Sequence, residues 1–161
     1  MNKSPVFENK ICHPELLRTR LPLLAHPLVF TNGVFDVLHR GHVTYLAESR
    51  ALGASLVVAL NTDASVKRLG KGSDRPINSL EDRMAIIAAL ESVSLVTWFD
   101  EDTPLALIQY CLPDVLVKGG DWVAETIVGA KEVLARGGSV RSIPFQFERS
   151  TTSLISRIRN T

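Results

Sequence analysis

The feature that most constrains the fold is a regular alternation of short apolar runs with segments of helical pattern. Apolar runs occur at 28–30, 56–60, 93–99, 114–118 and 140–145, and helical spacing of apolar residues recurs between them. Strands that are apolar along their whole length are typical of a parallel sheet covered on both sides. The sequence therefore predicts an α/β fold, a doubly wound, five-stranded parallel sheet with helices on both faces.

Capping residues and glycines predict where the helices begin and end. We expect residues 28–161 to form the main domain, preceded by an extension, residues 1–27, in which 1–13 are loose and a short helix follows Pro14. The first strand should end at a sharp turn, Thr31 to Gly33, and a polar loop should hold Lys67 to Arg75. The further predicted helices are 41–52, one capped by Ser79, one from Thr103-Pro104 to Tyr110 or Cys111, 125–136, and one from about Ser150.

Composition excludes several classes of protein. The 161 residues carry 18 Lys and Arg against 17 Asp and Glu, a formal net charge of +1. This balance provides no general basic surface for nucleic acid or for an anionic membrane. Two cysteines cannot form a disulfide framework, and the N-terminus contains no signal-peptide or membrane-spanning pattern, so we expect a cytoplasmic protein.

The end of the first strand carries the clearest chemical signal. In doubly wound sheets, ligands bind outside the carboxyl ends of the strands. There Thr31 to Asp36 leads into His39-Arg40-Gly41-His42 at the start of a helix. Backbone N–H groups at a helix start favour phosphate, and Gly41 permits close approach of a ligand. Imidazoles at i and i+3 lie on one side of the same turn, where each can donate a ring N–H to a phosphoryl oxygen.

This arrangement suits phosphoryl or nucleotidyl transfer, which needs alignment and hydrogen-bond donors more than covalent help. Two other interpretations of the histidines stay open at this point. His39 or His42 caps the helix, or the pair binds a transition metal, although no third ligand stands at a recognisable spacing. Neither cysteine lies in a nucleophile motif, so we expect no covalent enzyme intermediate.

Gly33-Val34-Phe35-Asp36 followed by His39-Arg40-Gly41-His42 resembles the signature of the cytidylyltransferase-like nucleotidyltransferases, which have a Rossmann-like fold. From about Leu28 onward, further motifs are similar in order and spacing to the D-glycero-D-manno-heptose 1-phosphate adenylyltransferases of lipopolysaccharide precursor synthesis. These motifs are Asn61 to Val66, Arg75 to Asn78, Glu81 to Met84, Lys118 to Trp122 and Ser150 to Thr152. Cytidylyltransferases carry an arginine five residues before this serine, and Phe145 stands there instead, which agrees with ATP.

The pattern and the resemblance together imply three groups of site residues. The catalytic candidates are His39, His42, Arg83 and Lys71. The nucleotide-binding candidates are Thr31, Asn32, Gly33, Val34, Phe35, Gly41, Lys118, Gly119, Gly120, Asp121, Ser150, Thr151 and Thr152. The candidates for the second substrate are Asp36, Asn61, Asp63, Arg75 and Trp122.

Ordinary structural roles compete with several of these assignments. Ser150 is also a natural N-cap, and Lys118 and the basic loop residues Lys71 and Arg75 have a solvated alternative. A turn or packing role is equally consistent with Asp36, Asn61, Asp63 and Trp122.

The implied reaction transfers AMP from ATP to heptose 1-phosphate and releases pyrophosphate. Mg²⁺ is expected on the phosphates, with no protein ligand assigned. We expect a homodimer or larger assembly and a separate sugar kinase that supplies the sugar phosphate, with no nucleic-acid or membrane partner. The alternatives are transfer to another small phosphate, such as glycerol 3-phosphate with CTP or a phosphopantetheine precursor, and a nucleotide-binding module without turnover.

Overall fold

Within residues 5–70, 74–147 and 151–159, which the computed structural model of the chain describes, five strands form a parallel sheet. The strands are β1 (Leu28–Gly33), β2 (Ser55–Asn61), β3 (Leu95–Phe99), β4 (Val115–Gly119) and β5 (Ser139–Ile143), and their order across the sheet is β3-β2-β1-β4-β5. The predicted five-stranded parallel sheet is confirmed.

The central strand β1 is the point at which the winding of the sheet reverses. The chain passes from β1 outward to β2 and β3, and then returns to place β4 on the other side of β1 and β5 beyond it. Connections therefore leave β1 and β4 in opposite directions, which opens a crevice at their carboxyl ends. The fold itself supplies this crevice.

Helices cover both faces of the sheet, as predicted. On one face, α2 (Arg40–Arg50) and α4 (Leu80–Ala88) contribute Leu46 and Ile87 to the core. On the other face, α5 (Leu105–Cys111) and α6 (Ala130–Ala135) contribute Ile108 and Val133. The remaining helices are α1 (Leu17–Arg20), α3 (Asp63–Arg68) and α7 (Thr151–Arg159). Among the described helices, none has both the length and the apolar character that crossing a membrane requires.

Alternate residues of the strands supply the two cores. Leu28 and Phe30 pack into the core with α5 and α6, whereas Val29 between them packs against α2 and α4. All three are almost completely buried. Because both faces are covered, every position of the strand can be apolar, which explains the uninterrupted runs in the sequence.

The N-terminal segment differs from the prediction, since residues 5–13 are not loose. Val6–Lys10 form a 3-10 helix, Ile11 pairs with Val96 of β3, and the Cys12 backbone N–H donates to the Val96 carbonyl at 2.8 Å. Cys12 is thereby buried in the same core as Leu17. The backbone of this segment therefore pairs with part of β3, which is an edge strand of the sheet.

Two further predictions near β1 also differ. Helical turns at Pro14–Leu16 and Leu21–Leu23 flank the short α1 in place of one helix, because Pro22 has no N–H to continue the hydrogen-bond ladder. The strand β1 continues through Gly33, so its turn comes later than predicted.

The predicted polar loop after β2 contains a helix instead. Thr62 caps α3 by accepting a hydrogen bond from the Ser65 backbone N–H, and Val66 is buried, so Lys67 and Arg68 lie on a helix. The predicted helix 125–136 is a 3-10 turn at Ala124–Thr126 followed by α6, because Gly129 has a φ of +87° and interrupts helical geometry.

Candidate functional site

A cavity of about 630 Å³ opens at the carboxyl ends of the strands, beside the reversal between β1 and β4. Its wall comes from the turn after β1, the beginning of α2, the end of β4 and the beginning of α7. Ligands of doubly wound sheets bind at this position. The described residues that line it are Asn32, Gly33, Val34, Phe35, Asp36, His39, His42, Tyr45, Arg75, Lys118, Gly119, Trp122, Phe145 and Thr151.

The turn after β1 has an unusual backbone. Phe35 has a φ of +48°, in the left-handed region that bulky residues rarely adopt, and its side chain is buried. Its ring meets His42 edge-on, with 5.4 Å between the ring centroids. A strained residue of this kind persists only where its surroundings hold it, and such residues cluster at functional sites.

Asp36 holds this turn in place. Its carboxylate accepts hydrogen bonds from the backbone N–H groups of Ile77 and Asn78 at 2.9 Å and from Arg75 Nε at 2.5 Å. Burial raises the pKa of Asp36, but the hydrogen bonds from Asn78, Ile77 and Arg75 outweigh it and keep the pKa below its usual value. The geometry therefore favours the turn role of Asp36 over contact with a sugar, and Arg75 reaches the cavity as its ion-pair partner.

His39 and His42 lie together at the start of α2. Their rings are stacked with 3.8 Å between centroids and an interplanar angle of 24°. A Cβ atom on Gly41 would lie 3.0 Å from the His39 ring, so glycine makes room for this arrangement. His39 occupies the N-cap position, and among the described residues its side chain makes no capping hydrogen bond. The capping interpretation of His39 therefore lacks support.

The surroundings of His42 determine its protonation state. Burial lowers the pKa of His42 to about 4, and the neighbouring His39 adds to the shift. His42 is therefore neutral near pH 7 and carries one ring N–H. Its buried Nδ1 has no hydrogen-bond partner among the described residues. A buried imidazole nitrogen without a partner is consistent with a site in which a bound ligand supplies the missing hydrogen bond.

The end of β4 forms the opposite wall. Lys118 Nζ lies 3.5 Å from Asn32 Oδ1, so side chains from the paired strands β1 and β4 meet at the cavity. Trp122 is half exposed, and its Nε1 donates to the Gly119 carbonyl at 3.0 Å. Gly120 lies in the turn between them with a φ of +111°, whereas Asp121 is exposed to solvent. Lys118, Gly119 and Trp122 line the cavity, and the described lining does not include Gly120 or Asp121.

The last helix reaches the same cavity. Thr151 lies at the start of α7, lines the cavity, and donates from Oγ1 to the Val37 carbonyl at 3.2 Å. The structure thus brings Thr151, His39 and His42 to one cavity. The predicted residues Lys71 and Ser150, and the side chain of Thr152, lie outside the described residues.

Arg83, a predicted catalytic residue, is fully buried and is not among the described residues that line the cavity. Its guanidinium donates to the carbonyls of Val34 at 2.8 Å and Asn61 at 2.9 Å, and it pairs with Asp63 at 2.6 Å. It therefore ties the turn after β1 to the end of β2. We assign Arg83 as a positioning residue, because its guanidinium is fully buried and is held by the Val34 and Asn61 carbonyls and by Asp63.

The remaining predicted residues divide between the interior and the site. Thr31 is buried, and its hydroxyl shares a hydrogen bond of 2.5 Å with the hydroxyl of Tyr45. Asn61 is buried and donates from Nδ2 to Ser65 Oγ at 3.0 Å. Asn32, Gly33 and Val34 line the cavity.

Sequence reasoning missed Tyr45 and did not assign Phe145 to the site. Both line the cavity, with their ring centroids 5.7 Å apart. Burial raises the pKa of Tyr45 to about 12, so the phenol is neutral. Tyr45 lies three residues after His42, and this helical spacing was the available signal. Phe145 is held near α2 because Arg40 stacks on the ring of Phe147 at 4.0 Å.

Both cysteines lie in the hydrophobic core rather than in this cavity. Burial raises the pKa of Cys12, and it raises the pKa of Cys111 to about 12. Neutral, buried thiols are unreactive. Among the described residues, no three His, Cys, Asp or Glu side chains are grouped as a metal site.

Comparison with known proteins agrees with this geometry. The model of the Cytidylyltransferase-like family matches residues 30–157. The D-beta-D-heptose 1-phosphate adenylyltransferase of Bordetella bronchiseptica is 56% identical over 158 residues, which are 95% of this chain and 96% of that protein. The Bifunctional protein HldE of a Marinomonas species is 57% identical over 130 residues, and these cover 81% of this chain but only 27% of that protein.

A solved structure provides the third comparison. The lipopolysaccharide core biosynthesis protein of Thermoplasma volcanium superposes with a TM-score of 0.60 at 29% identity, covering 76% of this chain and 98% of that one. The family model spans β1 from Phe30 onward, the other four strands in full, and every described residue that lines the cavity. The chain therefore belongs to the cytidylyltransferase-like family.

Proposed function

We propose that this protein transfers AMP from ATP to D-glycero-D-manno-heptose 1-phosphate and releases pyrophosphate. The observation that supports nucleotidyl transfer is the convergence of His39, His42, Lys118 and Thr151 on one cavity at the reversal of the sheet. The choice of a heptose phosphate is supported by the close similarity to the Bordetella adenylyltransferase over nearly its full length, and that name favours the β anomer.

The reaction is a single displacement at phosphorus. An oxygen of the sugar 1-phosphate forms a bond to the α-phosphorus of ATP. The bond from that phosphorus to the bridging oxygen of the β-phosphate breaks, and pyrophosphate leaves with the electron pair. The products are ADP-heptose and pyrophosphate, and no atom changes oxidation state. Such a transfer depends on alignment and on donors placed where charge develops.

Residues of the cavity match these requirements. His42 is neutral near pH 7, so it acts as a hydrogen-bond donor to a phosphoryl oxygen rather than as a cation. Lys118 supplies positive charge from the opposite wall. Backbone N–H groups at the starts of α2 and α7, together with the turn from Asn32 to Phe35, hold the phosphates. Lys71 and Ser150 remain proposed phosphate contacts.

A divalent ion such as Mg²⁺ is expected to enter with the phosphates of ATP. The described residues do not form a protein cage for it, because the Asp36 carboxylate is already occupied by Arg75, Ile77 and Asn78. The protein's own contribution is therefore derived without a step through the metal. When bound, the ion neutralises phosphate charge.

The setting of the reaction follows from its substrates. We propose that a sugar kinase supplies the heptose 1-phosphate, because the proposed reaction consumes a sugar that already carries its phosphate. We place the reaction in the cytoplasm, where ATP is available. A homodimer or larger assembly is the expected active form, on the basis of the family resemblance.

The test is a pyrophosphate-release assay on the purified protein with ATP and Mg²⁺. We expect turnover with β-heptose 1-phosphate and little with glycerol 3-phosphate or phosphopantetheine. CTP should replace ATP poorly. Turnover with CTP and glycerol 3-phosphate would support the alternative transferase, and ATP binding without pyrophosphate release on any of these acceptors would support a nucleotide-binding module.

A further inference from the structure

The side chain of Tyr45 carries a buried hydroxyl that the proposed function does not use. Tyr45 lies on α2, three residues after His42, and is only 4% exposed. Its hydroxyl shares a hydrogen bond of 2.5 Å with Thr31 Oγ1 on β1, and the backbone of Gly119 on β4 also hydrogen-bonds to it. One side chain of α2 therefore contacts both strands between which the winding of the sheet reverses.

The two contacted residues are chain neighbours of the side chains in the opposite wall of the cavity. Thr31 directly precedes Asn32 on β1. Gly119 directly follows Lys118 on β4, and Lys118 Nζ lies 3.5 Å from Asn32 Oδ1. A shift of Tyr45 against these strands would therefore change the distance between the histidines and Lys118. In the proposed function both groups act on one nucleotide, so this distance affects the alignment of the reaction.

The ring of Tyr45 is packed as closely as its hydroxyl is bonded. A Cβ atom on Gly119 would lie 3.3 Å from Tyr45 Cε2 and 2.7 Å from Phe145 Cζ, so glycine allows both rings to approach the end of β4. The Phe145 ring meets the rings of Tyr45 and His42, at centroid distances of 5.7 and 6.5 Å. Tyr45 thus also supports a neighbour of the histidine pair.

The hydroxyl of Tyr45 is poorly suited to act on a substrate itself. Burial raises the pKa of Tyr45 to about 12, so the phenol does not supply an anion near pH 7. A phenol has one proton to donate, and the Thr31 hydroxyl and the Gly119 backbone already engage its oxygen. The contacts of this hydroxyl therefore favour a role exerted through α2.

We propose that Tyr45 is a positioning residue for nucleotidyl transfer, which holds the stacked histidine pair at a fixed distance from Lys118 by joining α2 to β1 and β4. The inference rests on the proposed function and adds a residue that acts through the histidines. A misplacement of about 1 Å lowers the rate of an aligned transfer as much as ~100-fold. Loss of the hydroxyl therefore lowers kcat, whereas the binding of the nucleotide changes little.

The test removes one hydroxyl or both, in Tyr45→Phe, Thr31→Val and the double variant. Tyr45→Phe leaves the buried Thr31 hydroxyl without this partner, which lowers the free energy of unfolding. Adding Thr31→Val removes the unpaired hydroxyl and restores part of that stability. The hydrogen bond from α2 to β1 is absent from all three variants, so stability and kcat separate a positioning role from a purely structural one.

The chain offers a matched control for each substitution. Tyr110→Phe changes the other tyrosine of the chain, which is half exposed on α5. Thr97→Val changes a second fully buried strand threonine, whose Oγ1 has no hydrogen-bond partner among the described residues. Neither residue is among the described residues that line the cavity, and both controls should keep the wild-type kcat.

Four measurements are made on the full chain. Pyrophosphate release with ATP and heptose 1-phosphate gives kcat and KM, and calorimetry gives the Kd of a non-hydrolysable ATP analogue. Urea unfolding gives the stability of each variant, and ¹H–¹⁵N NMR records the imidazole signals of His39 and His42.

We expect Tyr45→Phe to lower kcat about tenfold or more, with the Kd of the analogue within about twofold of the wild-type value. The imidazole signals should shift in Tyr45→Phe and stay in place in Tyr110→Phe. The double variant should be more stable than Tyr45→Phe and should have the same low kcat. Thr31→Val breaks the same link from the other side, so a reduced kcat in that variant supports the proposal even if Tyr45→Phe does not fold.

Several results would overturn the proposal while the proposed function stands. These are a kcat that recovers with stability in the double variant, a wild-type kcat in folded Tyr45→Phe or Thr31→Val, or imidazole signals that do not move. A Kd for the ATP analogue raised about tenfold would instead place the hydroxyl in contact with the nucleotide, and it would also overturn a positioning role. If the wild-type protein produces no ADP-heptose, the proposed function fails, and the kinetic role of Tyr45 fails with it.

Discussion

The stacked imidazoles of His39 and His42 are the residues on which the proposed chemistry depends most. Their stacking places two aromatic donors in one wall of the cavity, and burial keeps His42 uncharged. The sequence predicted the pair, their shared side of the helix and the need for glycine at position 41. It did not predict the direct stacking or the depressed pKa, because both depend on the packing of Phe35 and Phe145 around the rings.

Replacing either imidazole tests its role. His39→Ala and His42→Ala should each reduce kcat by a factor of ~10² or more, because one donor to a developing charge contributes about 3 kcal/mol to a transition state. His13→Ala, in the N-terminal segment, is the control and should retain wild-type kcat. Circular dichroism melts accompany the kinetics. A variant that keeps its fold and its full kcat would remove that histidine from the catalytic machinery.

The depressed pKa of His42 also predicts how stability depends on pH. The pKa of His42 is about 4 in the folded protein, against 6.5 in the unfolded chain. Between these pH values the unfolded chain therefore binds more protons than the folded protein does. The contribution of neutral His42 to the free energy of unfolding is therefore complete above about pH 6.5, and it is lost as the pH falls toward 4. Its size is at most about 3 kcal/mol.

Urea unfolding of the wild type and of His42→Gln at pH 7.5 and pH 4.5 measures this effect. Glutamine does not titrate, so the stability of the variant relative to the wild type should increase as the pH falls. A difference that stays constant between the two pH values would show that His42 has an ordinary pKa.

The family resemblance predicted that Arg83 is a catalytic residue, whereas its buried contacts favour a positioning role. Arg83→Met should lower the free energy of unfolding by about 3 kcal/mol, since it leaves the buried carbonyls of Val34 and Asn61 without a donor. Arg18→Met, at an exposed position, is the control and should change stability by less than about 0.5 kcal/mol. Chemical denaturation measures both.

A positioning role for Arg83 has a kinetic signature as well. Because Arg83 ties the turn after β1 to the end of β2, Arg83→Lys should restore part of the stability lost in Arg83→Met, and kcat should recover in parallel. A lysine variant with wild-type stability and no turnover would instead indicate direct contact with substrate.

At the scale of elements, the sequence predicted which segments are strands and helices better than where they end. The helix α3 was missed because most of its residues are polar and gave no helical pattern of apolar residues. Its buried residues, Ser65 and Val66, lie within a single turn. The start of α6 was placed five residues too early, since Gly129 was not recognised as an interruption. The first error arises because tertiary packing overrides weak local preferences, whereas the second arises from a local signal, Gly129, that was present in the sequence.

The interruption at Gly129 gives a test at this scale. Gly129 and Gly137 both have positive φ, but a Cβ at 129 would lie 2.7 Å from Ile108 Cδ1, whereas a Cβ at 137 would meet open space. Gly137→Ala should therefore cost about 1 kcal/mol for backbone strain alone, and Gly129→Ala should cost clearly more. Equal losses in thermal or urea unfolding would show that the contact with Ile108 relaxes without cost.

At the scale of the whole molecule, one topological fact organises the site. The reversal of winding between β1 and β4 brings the histidines after β1, Lys118 at the end of β4 and Thr151 on the last helix to one place. The alternation of apolar runs and helices predicted a doubly wound sheet with ligands at the carboxyl ends of its strands, and the family resemblance added Lys118 to the predicted site. The participation of Tyr45 was not predicted, because it depends on how α2 packs against the end of β1.

This arrangement also predicts the kind of catalysis. Both cysteines are buried in the core, and the cavity offers donors and a cation around a space for two phosphates. The central claim is that the protein aligns its two substrates for one direct displacement, without an enzyme-bound nucleotidyl intermediate.

The stereochemical course at the α-phosphorus is the most direct measurement of that claim. The reaction is run with one diastereomer of ATP that carries sulfur on the α-phosphorus, and the configuration of the resulting thio-ADP-heptose is determined by ³¹P NMR. A single in-line displacement predicts inversion of configuration. Retention would mean two displacements through a covalent intermediate, and it would contradict the account.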